Sequence, residues 1–122
     1  MSRANRMKTE EIRGLLGLAR KARGLVIGSR ETRAGLHRGQ VRLVLLAADG
    51  SPRDRERLQR LAEETGTPVR EGGTREELGG AVGRDGVAVV GVTDRNVAAG
   101  ILGRLDGTAS PRSRGKNGGQ KP

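Results

Sequence analysis

"VRLVLLAADGSPRDRERLQRLAEETG", residues 41–66, changes from one kind of structure to another within a few residues. The apolar run "RLVLLAA" (42–48) does not alternate, as expected of a strand covered on both faces. "DG" then supplies a turn, Ser51 fits a helix N-cap, Pro52 fits the first helical position and Gly66 the stop. Along the helix between them Leu58, Leu61 and Ala62 face inward, and the arginines and glutamates make a solvated face. A doubly covered strand leading straight into an amphipathic helix is the signature of an α/β layer structure.

The pattern repeats outward in both directions. Downstream, "PVREG" (68–72) reads as a short strand nearer an edge, and Thr74 and Glu77 have capping-box spacing. A helix follows through "REELGGAV", then a second covered strand "GVAVVGV" (86–92) and a last helix "TDRNVAAGILGRL". Upstream, Ile12, Leu15, Leu16, Ala19 and Ala22 recur at helix spacing over residues 9–22, and Gly24 is a plausible stop. "LVI" (25–27) is a very short strand, and Gly28 and Ser29 open a helix over 28–38. The expectation is one α/β domain at residues 8–105, a sandwich of four strands and five helices. Residues 1–7 read as a flexible leader. The tail 106–122 has no Leu, Ile or Val, is rich in Gly, Pro and Ser, and reads as disordered and basic.

The net charge of +10 is unevenly placed. Residues 1–42 hold eleven Lys or Arg against three acids, residues 43–105 nine against ten, and the tail four against one. Such segregation suggests a polyanionic partner, nucleic acid before membrane. Twenty arginines against four lysines, with 21 glycines, also fit a chain that simply spreads Arg over solvated faces. There is no cysteine, hence no disulfide framework and no thiolate zinc site. The N-terminus lacks a signal-peptide apolar stretch, and the longest apolar run, "LVLLAA", falls far short of a membrane span. A soluble cytoplasmic protein, with no membrane partner, is expected.

Reactive groups are scarce. The single histidine, His37, has no motif around it, and the paired glutamates are sequence neighbours that diverge on a helix. No Ser sits in a nucleophile elbow, and the glycine-rich stretches match no phosphate-loop pattern. No catalytic residue, metal ligand, cofactor or small-molecule substrate is expected. A binding surface is better supplied. At about 100° per residue, Arg30, Arg33 and His37 share one face of helix 28–38, with Arg38 on its border. Thr32, Gly35 and Leu36 form the opposite, packed face. Gly28 allows close approach, and the unpaired N–H groups of the first turn, from Ser29 on, attract anions. Single-strand binders stack bases on aromatic rings, and this chain has none. The expected partner is therefore folded RNA, met where a kink or bulge widens its groove.

Residues 9–102 resemble the kink-turn-binding ribosomal protein superfamily of the L-seven-Ae and L-thirty-e type, and within it the small bacterial YlxQ-like branch. The resemblance rests on "LLGLARKARGLVIGSRETRAGLHRGQVRLVLLAAD", "GTPV", "GTREELGGAVG" and "VAVVGVTD". It implies a three-layer α/β/α sandwich around a four-stranded mixed sheet, and binding to structured RNA, ribosomal or kink-turn-like. The family motif G-x-N-E-x-x-K at the second helix is met by Gly28 and Glu31. Arg30 stands at the asparagine and Ala34 at the lysine, with Arg30 and Arg33 able to restore the charge in a different geometry. The L-G-x-A-x-G helix is met by Leu78, Gly79, Ala81 and Gly83. It implies a second contact at loop 82–87, where Gly83, Arg84, Asp85 and Gly86, flanked by Val82 and Val87, would cover an unstacked base. Two other expectations remain: a protein–protein adaptor, or a substrate-recognition module for an RNA-modifying enzyme.

Overall fold

The computed structural model describes residues 3–107 of the 122-residue chain. In chain order the elements are α1 (Arg3–Lys21), β1 (Leu25–Ile27), α2 (Ser29–His37), β2 (Leu43–Leu46), α3 (Pro52–Thr65), β3 (Val69–Glu71), α4 (Arg75–Val82), β4 (Val89–Val92) and α5 (Arg95–Leu105). The strands form one mixed sheet in the order β1-β4-β2-β3. β4 runs antiparallel to β1, pairing Val90 with Ile27, and to β2, pairing Val89 with Leu46. β2 and β3 are parallel, pairing Val44 with Val69, as their connection through α3 requires.

Successive strand side chains point to opposite faces, and here both faces are covered. Leu43 and Leu45 join Val90 and Val92 in a core with Ile12, Leu16, Leu78, Val82, Ala98 and Ile101, beneath α1, α4 and α5. Val44, Leu46 and Val89 turn the other way and pack with Leu36, Val41 and Leu58, beneath α2 and α3. The result is the expected three-layer α/β/α sandwich. β2 and β4 are buried throughout, which is why neither carries a polar position.

Three helix starts are closed by side chains. Ser51 accepts from the Asp54 N–H, Thr74 and Glu77 complete the capping box (3.1 and 2.9 Å), and Asp94 accepts from the Val97 N–H (2.9 Å). Some boundaries differ from those expected. α1 begins at Arg3, not Thr9, so residues 3–7 of the expected leader are helical; they contain neither Gly nor Pro to stop it. The strand expected over 86–92 is reduced to Val89–Val92, because Gly86 has a left-handed φ of 87° and belongs to a turn. Asp106, assigned to the tail, is tied to Arg70 of β3 through two hydrogen bonds of 2.8 and 3.1 Å. The rest of the expected tail, 108–122, lies outside the described residues. No helix among the described residues is long and apolar enough to cross a membrane.

Candidate nucleic-acid interface

α2 starts differently from α3, α4 and α5. Its N-cap is Gly28, at φ 102° and ψ 158°, and no side chain caps the first turn. That backbone conformation is open almost only to glycine. The Gly28 N–H is spent on the Val89 carbonyl (2.8 Å), which anchors the helix start to the central strand β4, and the Gly28 carbonyl takes the first helical bond, from Thr32 (3.0 Å). The N–H groups of Ser29, Arg30 and Glu31 are the helix's orphan donors, directed along the axis beyond Gly28. A side chain added at Gly28 would meet nothing within 4 Å, so the space above this start is open.

The packed face holds α2 close to the sheet. Thr32, Gly35 and Leu36 are buried as expected. A Cβ on Gly91 of β4 would come within 3.0 Å of Thr32 Cγ2, and one on Gly35 within 2.7 Å of Val41 Cγ2. Gly91 thus sets the spacing between helix and sheet, and Gly35 that between the helix and the segment leading into β2, while Arg30 and Glu31 stay exposed.

Residues 83–86 sit at the same end of the sheet, since β4 runs antiparallel to β1 and begins beside Gly28. Gly83 ends α4 in the left-handed conformation (φ 75°), and both Gly83 and Arg84 donate to the Gly79 carbonyl. The chain then doubles back along α4 until the Val87 N–H reaches the Arg75 carbonyl (3.0 Å). A Cβ on Gly79 would lie 2.5 Å from the Gly86 nitrogen and 2.6 Å from the Arg84 carbonyl oxygen. Only glycine at 79 lets this loop lie against its helix, which gives the Leu78-Gly79-x-Ala81-x-Gly83 pattern a physical reason.

An open groove of about 300 Å³ runs beside β1, lined by Arg20, Arg23, Leu25, Val26, Ile27, Glu31 and Arg84. It joins the end of α1, the open edge of the sheet, the first turn of α2 and the 83–86 loop. Glu31 and Arg84, drawn from two separate expected contact regions, therefore border one cavity. Ion pairs among the described residues are Arg55–Glu71, Arg70–Asp106 and Arg104–Glu11. Arg20, Arg23, Arg30 and Arg84 take part in none of them.

Several expected site residues are placed otherwise. Val82 and Val87 are 2% and 6% exposed and belong to the core, so their side chains anchor the loop and offer nothing to a ligand. The Ser29 hydroxyl is buried without a hydrogen-bond partner, leaving only its backbone N–H for the surface. Arg33 is half-buried and its Nε donates to the Ser29 carbonyl (3.4 Å), which draws the guanidinium toward the helix start. His37 and Arg38 are exposed but sit about 12 Å along the axis from Ser29. Gly83, Asp85 and Gly86 are exposed in the loop. Arg20, Arg23 and β1 itself were absent from the expected site. Their contribution depends on β1 lying at the sheet's edge, and nothing local in residues 20–27 states that.

Residues 10–101 match the family model described as ribosomal protein L7Ae/L30e/S12e/Gadd45. The RNA-binding protein YlxQ of Bacillus subtilis strain 168 is 30% identical over 92 residues, 75% of this chain and 92% of that protein. A solved structure from Bacillus halodurans, of a protein of unknown function, superposes with a TM-score of 0.76 at 32% identity, covering 78% of this chain and 96% of its own. The Giardia lamblia 15.5kD RNA binding protein shares the fold, with a TM-score of 0.72 at 24% identity over 83% of this chain and 89% of its own.

Proposed function

The chain belongs to the ribosomal protein L7Ae/L30e/S12e/Gadd45 family, and from that premise we propose that it binds structured RNA through the start of α2 and the 83–86 loop, catalysing nothing. The observation that carries this reading is the α2 start: uncapped by any side chain, open above Gly28, and flanked by exposed Arg30 and Glu31. YlxQ of B. subtilis carries the description RNA-binding protein, which supports the same partner class.

Each group has a definite task. The free N–H groups of the first turn and the positive end of the helix dipole suit a phosphate. Arg30 offers paired planar donors to a phosphate or a guanine edge. The Glu31 carboxylate accepts from a guanine amino group. The exposed backbone of Gly83–Gly86 provides a flat support for an unstacked base. An ordinary A-form major groove is too deep and narrow for α2, so the target carries a kink or bulge. A kink-turn with sheared G·A pairs in ribosomal RNA is the target we put forward, met in the cytoplasm. Arg30 and Ala34, where the family motif has asparagine and lysine, place more of the contact on guanidinium charge.

The test is a gel shift with a kink-turn RNA and with the same RNA stripped of its G·A pairs. Preference for the intact kink, lost in R30E/R33E, is the expected result. With about six phosphates neutralised, log affinity falls against log salt with a slope of about −4 to −5. Equal affinity for both RNAs would reduce the interaction to charge alone. A protein partner kept by R30E/R33E, with no RNA bound by the wild type, would make the chain an adaptor.

A further inference from the structure

We propose that the groove along the open edge of β1 continues the RNA surface, with Arg20 and Arg23 holding the phosphodiester backbone of the strand that leaves α2. The inference rests on the RNA-binding reading above and extends its footprint to an element, the end of α1, that neither the helix 28–38 motif nor the 82–87 loop includes.

Three observations converge. The first is charge. Arg20 from α1, Arg23 from the turn that follows it and Arg84 from the loop line one groove, and none is neutralised by an ion pair among the described residues. Arg20 is steered there: its Nη1 lies so near Gly83 that a Cβ on that glycine would stand 3.3 Å away. The second is backbone. Arg23 has φ 59°, the one left-handed non-glycine among the described residues. The glycine that would ordinarily take this position is one residue on, and it is needed where it is. A Cβ on Gly24 would lie 2.8 Å from Asp94 Cβ, and its carbonyl accepts from both Thr93 and Asp94 (2.8 and 3.0 Å). The left-handed residue closes α1, with the Gly24 N–H donating to the Ala19 carbonyl (2.6 Å), and at this position the chain carries a guanidinium that lines the groove.

The third is the edge itself. Hydrogen-bonded pairs alternate along an antiparallel ladder, and the bonds Gly28 N–H to Val89 and Thr93 N–H to Gly24 fix the phase. Leu25 and Ile27 therefore turn their backbone groups away from β4 and into the groove. Two residues are too few for a peptide strand to dock by strand addition, where strands average five or six. They are enough for hydrogen bonds to one nucleotide. Glu31 and Arg84 are shared with the α2 surface, so an RNA strand passes from one to the other without a break. Three guanidinium groups against one carboxylate set the sign: the occupant is a polyanion.

The probe is a labelled kink-turn RNA titrated with the full-length protein and with R20A, R23G and R20A/R23G. R23G removes the cation while relieving the left-handed residue, so it melts no lower than wild type. If the proposal holds, R23G nonetheless binds about tenfold more weakly, and each substitution makes the salt slope shallower by about 0.7 to 1. Wild-type affinity and slope in R20A/R23G, with binding still abolished by R30E/R33E, would confine the footprint to α2 and overturn this proposal alone. If an oligoglutamate peptide binds wild type but not R20A/R23G, while RNA affinity is unchanged, the groove belongs to an acidic protein segment and the proposal fails. A wild type that binds no kink-turn RNA would overturn both readings together.

Discussion

Thr32 occupies the most restrictive position on α2. It is fully buried, its Oγ1 has no hydrogen-bond partner, and it rests on Gly91, where no Cβ intervenes. A buried donor left unmade costs about 1–3 kcal/mol, whereas an apolar group of the same shape costs nothing. Thr32→Val is therefore expected to raise the unfolding free energy by about 1 kcal/mol, read from urea titrations, and to leave RNA affinity unchanged because the side chain lies beneath the helix. A loss of stability would mean that the hydroxyl has a partner. The opposite face of the same helix follows another rule: Arg30 and Glu31 are exposed, so their identity is free to follow a ligand. The sequence shows this division directly. One-in-three-or-four spacing separates Thr32 and Leu36 from Arg30, Arg33 and His37, and burial follows that spacing. It does not show how far each exposed side chain is from the start of α2, which is why His37 and Arg38 look equivalent to Arg30 in the string and are not.

At the level of elements, α4 and its following loop behave as one unit, held by Gly79. Its Cβ would collide with backbone atoms of residues 84 and 86, and backbone cannot rotate away as a side chain can. Gly79→Ala is expected to cost about 1–3 kcal/mol and to weaken RNA binding by lifting the 83–86 loop; Gly80→Ala, whose Cβ would face only the Arg13 guanidinium at 3.3 Å, serves as the control. Denaturation and gel shift on the pair separate the two effects. Helix starts were the most legible feature of the chain, since Ser51 and Thr74 each announce a cap and each makes one; the Asp94 cap of α5 was not singled out in the sequence. Strand ends were less so. "GVAVVGV" reads as continuous strand, yet Gly86 turns and Val87 serves the core, because a run of apolar residues carries no mark where pairing begins. The expected role of Val82 and Val87 at the surface failed for the same reason: both are apolar residues at an element boundary, and burial claimed them.

Across the whole molecule, the two sheet edges are finished differently. At β3, the Arg70 hydrogen bonds to Asp106 hold that carboxyl below its ordinary range and clip the end of α5 to the sheet. A carboxyl lowered on folding adds stability that is present above its unfolded pKa, near 3.8, and is lost as pH falls through the lower folded value. The partners are more than a third exposed, so Asp106→Asn is expected to cost less than about 1 kcal/mol at pH 7 and to match wild type at the acid limit, in paired melts. At β1 no such clip exists among the described residues, and the groove is what remains. The layers were legible from strand and helix alternation, but the order β1-β4-β2-β3 was not, because pairing partners far apart in the chain leave no local trace. That order also dictates timing. Among the described residues the first strand pairs only with the last, and Gly28 is moored to Val89, so a chain emerging from the ribosome carries every arginine of α2 long before it carries the proposed site. On the proposed reading, recognition is deferred until synthesis of the domain is almost finished, and a half-made copy holds the charge for its target without the shape.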